Sequence, residues 1–320
     1  MQESMQTRTT KLQLDRRHVL TGIGAALAAP LWPQARARAA MAPFRRRVGA
    51  IELAVISDGV LNVPLSFALP ETPAAEAAAL FTAHNLPPEG PQPQTNVSLV
   101  RSGGELVLID AGSGSNFQPT AGKLAENMEA AGIDPATVTK VVFTHCHADH
   151  LWGAIDDFDD SERFSKASYV IAAAEWDFWL DPNTPANVPD ALKGMARGSA
   201  RILKRLEGKI ERRKAGDAVA PGLTYVETIG HTIGHMAVMV ESEGQRLLIG
   251  GDALTNVAVS FARPEWRWGG DHDRDRGVAT RRRLLDQLAT DRMPLIGFHL
   301  SWPGHGRVER AGGAYRFVPA

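Results

Sequence analysis

His145-Cys146-His147-Ala148-Asp149-His150 places three histidines and an aspartate within six residues, directly after Val141-Val142-Phe143. The apolar run is β-branched and aromatic, which predicts a short buried strand with the polar stretch as a loop at its end. Side chains on extended backbone alternate faces, so His145 and His147 can point at one ion while Cys146 points away. Asp149 and His150, past the bend, can reach a second ion. Imidazole with carboxylate suits Zn, Fe, Mn or Co, and open coordination positions make such a site catalytic rather than structural.

Working outward, the same arrangement recurs. Leu223–Ile229 reads as a strand and leads into Gly230-His231, which completes a three-histidine group with His145 and His147. Leu247–Gly250 leads into Gly251-Asp252, whose carboxylate can bridge both ions. Pro294–Phe298 leads into His299, which completes the second group with Asp149 and His150. Side chains at strand ends of a layered α/β protein converge at one edge of the core. That rule prefers His299 over His305, which sits in the turn Pro303-Gly304-His305-Gly306. His235 and Asp110 read as hydrogen-bonding braces for the ligand loops. Asp271-His272-Asp273 follows no apolar strand and is expected at the surface, and Arg281-Arg282-Arg283 as the solvated face of a helix.

Further strands are predicted at Ile51–Ile56, Asn96–Arg101, Leu106–Asp110 and Tyr169–Ala172, and helical stretches at Ala74–Ala83, Pro119–Ala131, Asp190–Leu206 and Gly277–Ala289. Residues 62–96 are rich in proline and form a long excursion, with a second at 253–275. Leu61, Leu65, Phe67, Leu69 and Phe81 can wall an apolar pocket, with packing on the core preferred, and Phe67 is the candidate for substrate contact. Trp176, Phe178 and Trp179 either face an aromatic pocket or pack in the core.

The chain has 320 residues, 44% of them hydrophobic and 22% charged, with a formal net charge of −1. A single cysteine excludes a disulfide framework and a thiolate zinc cluster. The charge balance gives no reason to expect nucleic acid or an anionic membrane as partner. Residues 1–39 read as an export signal ahead of one domain at 40–320. Arg16-Arg17 precedes an apolar Ala/Gly-rich run from Thr21 to Leu31, and Ala35-Arg36-Ala37-Arg38-Ala39 offers small-x-small cleavage sites. The paired arginines resemble a twin-arginine signal, and the run is too short for a permanent membrane anchor. A periplasmic or secreted protein is expected.

The His-x-His-x-Asp-His pattern resembles the metallo-β-lactamase superfamily. Within it the chain is most similar to the methyl parathion hydrolase group. That likeness rests on the ligand loop, on Gly230-His231-Thr232-x-Gly234-His235, on Leu295-Ile296-Gly297-x-His299-Leu300-Ser301-x-Pro303-Gly304 and on Tyr315-Arg316-Phe317-Val318-Pro319. The resemblance implies an α/β fold, the four-layer αβ/βα sandwich, with the metal site at its strand ends. It implies two divalent ions on His145, His147, Asp149, His150, His231, Asp252 and His299, a dimeric assembly, and a pocket wall near Trp179. Zinc is favoured by affinity and availability, with Fe, Mn or Co as alternatives. Ions sharing a water lower its pKa toward ~7 from ~15.7, so hydroxide can attack at neutral pH. Asp252 would hold the ions together and Asp149 steer the water. The substrates so implied are aryl phosphotriesters, aryl esters or lactones. The alternative is an acyl-homoserine lactonase, a group similar in its use of a tyrosine that Tyr169, Tyr225 and Tyr315 do not obviously supply. A β-lactamase fits worse, since many place Cys where Asp252 stands, and an iron persulfide dioxygenase needs redox chemistry.

Overall fold

Leu106-Val107-Leu108-Ile109 alternates between two buried faces, and that alternation organises the molecule. The computed structural model describes residues 41–320, so the export signal read from residues 1–39 lies outside the described residues. Leu106 and Leu108 point into one apolar cluster, with Val141, Tyr169 and Ile171. Val107 and Ile109 point into another, with Val142, Val170 and Leu53. A strand covered on both faces reads as continuous apolar sequence, which is why these segments were easy to find.

The first sheet runs in the order β1 (Phe44–Val48), β2 (Ile51–Val60), β3 (Gln94–Ser102), β4 (Glu105–Ile109), β5 (Lys140–Val142), β6 (Ser168–Ala172) and β7 (Ile210–Arg213). It is antiparallel from β1 to β4 and parallel from β4 to β7. The second runs from β14 (Ala314–Pro319) through β13 (His305–Ala311), β12 (Leu295–Ile296), β11 (Gln245–Ile249), β10 (Met236–Ser242) and β9 (Leu223–Glu227) to β8 (Ala218–Ala220). Only β11 and β12 pair in parallel there. The inner faces meet through Val55, Val100, Val142, Val238, Leu247 and Ile296.

Helices cover the outer faces. α3 (Leu124–Ala130) and α7 (Lys193–Leu206) pack Met128, Ile202 and Leu203 against the first sheet. The last helix, Arg274–Asp291, packs Leu284, Leu285 and Leu288 against Ala237, Leu248 and Leu295 of the second. Helix, sheet, sheet and helix make the expected four-layer sandwich. Burying each large apolar side chain in these layers contributes roughly 1.5–3 kcal/mol.

Several boundaries differ from the sequence reading. The strand expected over Pro294–Phe298 shrinks to Leu295–Ile296: Gly297 N–H still meets the Gly304 carbonyl, but Gly304 N–H turns to the Ser301 carbonyl and the Gly297 carbonyl accepts from Asn96 Nδ2. β1 was hidden by Arg45-Arg46-Arg47. It forms because these residues sit on an edge strand, where Arg45 and Arg47 face solvent and Arg47 pairs with Glu52. The proline-rich excursion folds into α1 (Leu65–Ala68) and α2 (Ala74–Ala83), whose Leu69 and Phe81 surroundings join Val259 and Trp268 in a small separate cluster.

Candidate metal centre

β5, β9, β11 and β12 each stop just short of a ligand residue, and the loops that follow bring those residues together. α4 (Ala148–Leu151) begins inside the first loop, turning Asp149 and His150 away from the path of His145 and His147. Among the described residues, three groups of ligand atoms lie within 4.8 Å of one another: His145, His147 and His231; His145, His150 and Asp252; Asp149, His150 and His299. All seven predicted side chains therefore meet. His147 Nδ1 lies 3.0 Å from His231 Nε2. Asp252 spans the cluster, with Oδ1 3.2 Å from His150 Nε2 and Oδ2 3.2 Å from His231 Nε2 and 3.1 Å from His299 Nε2. Asp149 Oδ2 is 3.2 Å from His299 Nε2.

The donor set fits divalent cations. Nε2 of His145, Nε2 of His150, Oδ2 of Asp149 and Oδ1 of Asp252 are buried, face the cluster and have no hydrogen-bond partner. Orphaned buried polar atoms are costly, and four converging on one point indicate a missing electrophile rather than a packing fault. Nitrogen and carboxylate oxygen donors suit zinc and its first-row neighbours.

The electrostatics agree. Burial pushes His145 and His147 well below the usual imidazole range, aided by neighbouring histidines. Burial would lower His299 and His231 too, but Asp252 outweighs it and carries them up to about 10 and about 9. Burial would raise Asp149 and Asp252, yet the adjacent imidazoles hold both below the carboxylate range. Without a cation the carboxylates favour protons on His150, His231 and His299, while His145 and His147 stay neutral.

Hydrogen bonds outside the cluster fix His150, Asp252 and His299. Asp110 accepts from Thr144 N–H at 2.7 Å, from Thr144 Oγ1 at 2.8 Å and from His150 Nδ1 at 2.8 Å. His235 Nε2 accepts the Asp252 N–H at 2.9 Å, and its Nδ1 faces Thr228 Oγ1. His299 Nδ1 donates to the Gln94 carbonyl. His305 lies elsewhere, stacked on Phe44 with Nδ1 on the Ala320 carbonyl.

Four expectations need correction. Trp179 does not line a pocket. It is buried behind His147, and its indole N–H donates to Glu175 at 2.7 Å, which fixes it in the core. Asp271 is buried and His272 half-buried rather than free at the surface: Asp271 Oδ1 accepts from His231 Nδ1 at 3.0 Å, and His272 Nε2 lies 3.4 Å from His147 Nε2. Arg281 is 2% exposed and donates to Asp271 at 3.0 Å. Glu175 was missed altogether. It sits on α5 (Ala173–Leu180) and accepts from Cys146 N–H and Gly234 N–H, joining the two histidine-bearing loops.

Signals for these existed. Arg281 shares a helical face with Gly277, Leu284, Leu285 and Leu288, so the period placed it inside. Glu175 interrupts an apolar, aromatic stretch. Gly269-Gly270 announces a close backbone approach, since a Cβ on Gly269 would come within 1.7 Å of the Phe67 carbonyl oxygen.

A cavity of about 300 Å³ opens on the cluster. Its apolar walls include Leu61, Phe67, Phe117, Leu192, Met195 and Trp268, and Asn62, Gln118 and Thr255 add uncharged polar groups. Phe67 borders this cavity; Asn62, Thr255 and Trp268 come from the two excursions, Leu192 and Met195 from the helical stretch near 190, and Leu61, Phe117 and Gln118 from outside them.

Residues 90–299 match the family described as the metallo-beta-lactamase superfamily. A Bacillus subtilis (strain 168) protein named "Probable metallo-hydrolase YqjP" is 29% identical over 64% of this chain, and the match spans 65% of that relative's length. Among solved structures, hydrolase AbOPH of the beta lactamase superfamily is 26% identical, with a TM-score of 0.80, covering 87% of this chain and 97% of that one. The dizinc quorum-quenching lactonase AidC has a TM-score of 0.81 at 24% identity, covering 88% and 98%, and so shares the fold.

Proposed function

The chain belongs to the metallo-β-lactamase superfamily, and we propose that it is a metal-dependent hydrolase that cleaves neutral, apolar esters: aryl phosphotriesters, aryl carboxylic esters or lactones. The observation that carries this reading is the cavity wall. Among the described residues that line it, Asp149 and Asp252 are the only acids and there is no lysine or arginine. A substrate with a carboxylate or phosphodiester charge would lose hydration on entering and find no fixed cation on the chain. A neutral ester with an aryl or alkyl group buries that group against Phe67, Leu192 and Trp268.

His145, His147 and His231 would hold one ion, Asp149, His150 and His299 the other, with Asp252 between. Bound there, two divalent ions would make a shared water acidic enough to ionise near neutral pH and would polarise the bond to be cut. The chain supplies the rest. Asp149, ionised beside His299, is placed at the cluster where it would orient that water. The apolar walls exclude bulk water and align the ester. An aryl leaving group departs as phenolate and needs no general acid.

AidC, solved with a lactone-derived product, and AbOPH, a hydrolase, support keeping both lactones and other esters in the class. None of the three tyrosines lines the cavity: Tyr169 and Tyr225 are buried in the core and Tyr315 lies on β14. Export by the twin-arginine route and dimeric assembly belong to the same proposal. A mature N-terminus near Arg38–Ala40 in material from the native host tests the first, and solution molecular mass the second.

The decisive assay runs metal-quantified protein on a paraoxon-type triester, phenyl acetate and an acyl lactone, beside a phosphodiester of the same aryl alcohol. Turnover of at least one neutral substrate, with the diester at least ~100-fold slower, is expected from the cost of burying an unpaired charge. No hydrolysis of the three neutral substrates would contradict the proposal.

A further inference from the structure

Asp271 and His272 are neighbours in sequence, and each touches a different histidine of the three-histidine group. Asp271 Oδ1 meets His231 Nδ1 at 3.0 Å, and His272 Nε2 meets His147 Nε2 at 3.4 Å. The two backbones are tied as well: His272 N–H bonds to the His231 carbonyl and Asp273 N–H to the Gly230 carbonyl, both at 3.0 Å. The inner nitrogens of the same two rings, His147 Nδ1 and His231 Nε2, lie 3.0 Å apart and face the cluster.

The outer end of this contact is anchored in the fold. Asp271 Oδ2 accepts from Arg281 at 3.0 Å, and Arg281 also donates to the Trp266 carbonyl at 2.7 Å and the Pro264 carbonyl at 3.3 Å. Arg281 lies on α8 (Arg274–Asp291), buried among that helix's inward-facing residues. Two glycines let the layers approach this closely. A Cβ on Gly277 of α8 would sit 2.4 Å from Asp271 Oδ2, and one on Gly230 would sit 2.4 Å from the Gly277 nitrogen.

We propose that Asp271 and His272, locked to α8 through Arg281, form an outer clamp that positions His231 and His147 and sets metal affinity at the three-histidine group independently of the group built on Asp149, His150 and His299. The inference rests on the metal-centre reading above. A carboxylate accepting from the outer nitrogen of a histidine fixes its tautomer and orientation and makes the inner nitrogen a better donor. His272 Nε2 does the same for His147 by accepting its Nε2 proton. Nothing comparable from this loop reaches His150 or His299, whose outer nitrogens are held by Asp110 and the Gln94 carbonyl. These are positioning residues, and their effect passes through the ligands.

The test is cobalt(II) titration of metal-free full-length protein, following visible absorption and bound cobalt, with thermal unfolding of the metal-free forms in parallel. Wild type is expected to take two cobalt ions. Asp271→Asn and His272→Ala are each expected to weaken one of the two sites by about 10–100-fold and leave the other at its wild-type affinity. Arg281→Lys, which keeps a cation beside Asp271, is expected to lose less than Arg281→Met. Should Asp271→Asn not fold, His272→Ala makes the same test at the other contact. Unchanged affinity at both sites in the folded variants would overturn the clamp. So would equal weakening of both sites alongside a lowered unfolding temperature, which is the mark of general destabilisation. Wild-type protein binding no cobalt would overturn the metal-centre reading itself, and the clamp with it.

Discussion

Asp110 Oδ2 accepts the Nδ1 proton of His150 across 2.8 Å, directly beneath the metal cluster. Asp110 holds this position in the left-handed region of backbone space, at φ +65°. An aspartate there is held by its surroundings, here by three side-chain hydrogen bonds to residues 144 and 150. Asp110→Asn keeps the shape but weakens the acceptor facing His150. The expected result is 10–100-fold weaker metal binding with the fold retained, read by competition against a chromogenic chelator. Wild-type affinity in the variant would show that Asp110 serves the backbone alone.

Glu175 should matter even without metal. Its carboxylate satisfies Cys146 N–H at 3.0 Å, Gly234 N–H at 2.9 Å and the Trp179 indole at 2.7 Å, all buried. Glu175→Ala leaves those three donors unpaired, at about 1–3 kcal/mol each before relaxation. Urea denaturation of metal-free protein should register a loss of at least ~3 kcal/mol. A loss below ~1 kcal/mol would mean that water or a rearranged loop satisfies the donors.

The cavity wall makes a prediction about specificity. Phe67 borders the cavity and is 36% exposed, so it is available to a substrate. Truncating it to alanine removes roughly 1.5–3 kcal/mol of apolar contact from a large aryl or acyl group and little from acetate. Values of kcat/KM across a series of ester chain lengths should fall by about 10–100-fold at the long end only. A uniform fall along the series would assign Phe67 to packing instead.

Asp58 gives a pH signature of its own. Its carboxylate accepts from Ser113, Leu124 and Gly122 N–H, and burial still pushes it up to about 6. An unfolded chain binds this proton with a pKa of about 3.9. Between those values the native state holds more protons than the unfolded state, so Asp58's contribution to stability falls as pH rises from about 4 to 6 and is level above that. Asp58→Asn lacks the titration. Relative to wild type, the metal-free variant should gain about 2–3 kcal/mol in unfolding free energy across that window. Parallel curves for the two proteins would refute the assignment.

How much of this was readable beforehand follows from the kind of signal each part carries. Strands buried on both faces, such as β4 and β6, announce themselves through apolar runs, and ligands placed just beyond strand ends announce themselves through position. His299 was separable from His305 on that ground, and the structure places only His299 beside Asp149 and Asp252. The residues behind the ligands were less legible. Asp271, His272 and Glu175 are polar side chains whose burial depends on loops folding back over the cluster, and no local period encodes that. Arg281 was readable from helical spacing but was masked by its exposed neighbours Arg282 and Arg283. Trp179 was misplaced because an aromatic cluster looks the same from sequence whether it faces a cavity or backs a ligand.

The most direct test is elemental analysis of folded, catalytically active chain, with turnover measured on the same sample. Seven side chains from four strand-end loops around one pair of cations predict two divalent ions per chain, with activity lost on chelation and restored when both ions are replaced. Full turnover in protein carrying fewer than two metal ions per chain would contradict that account.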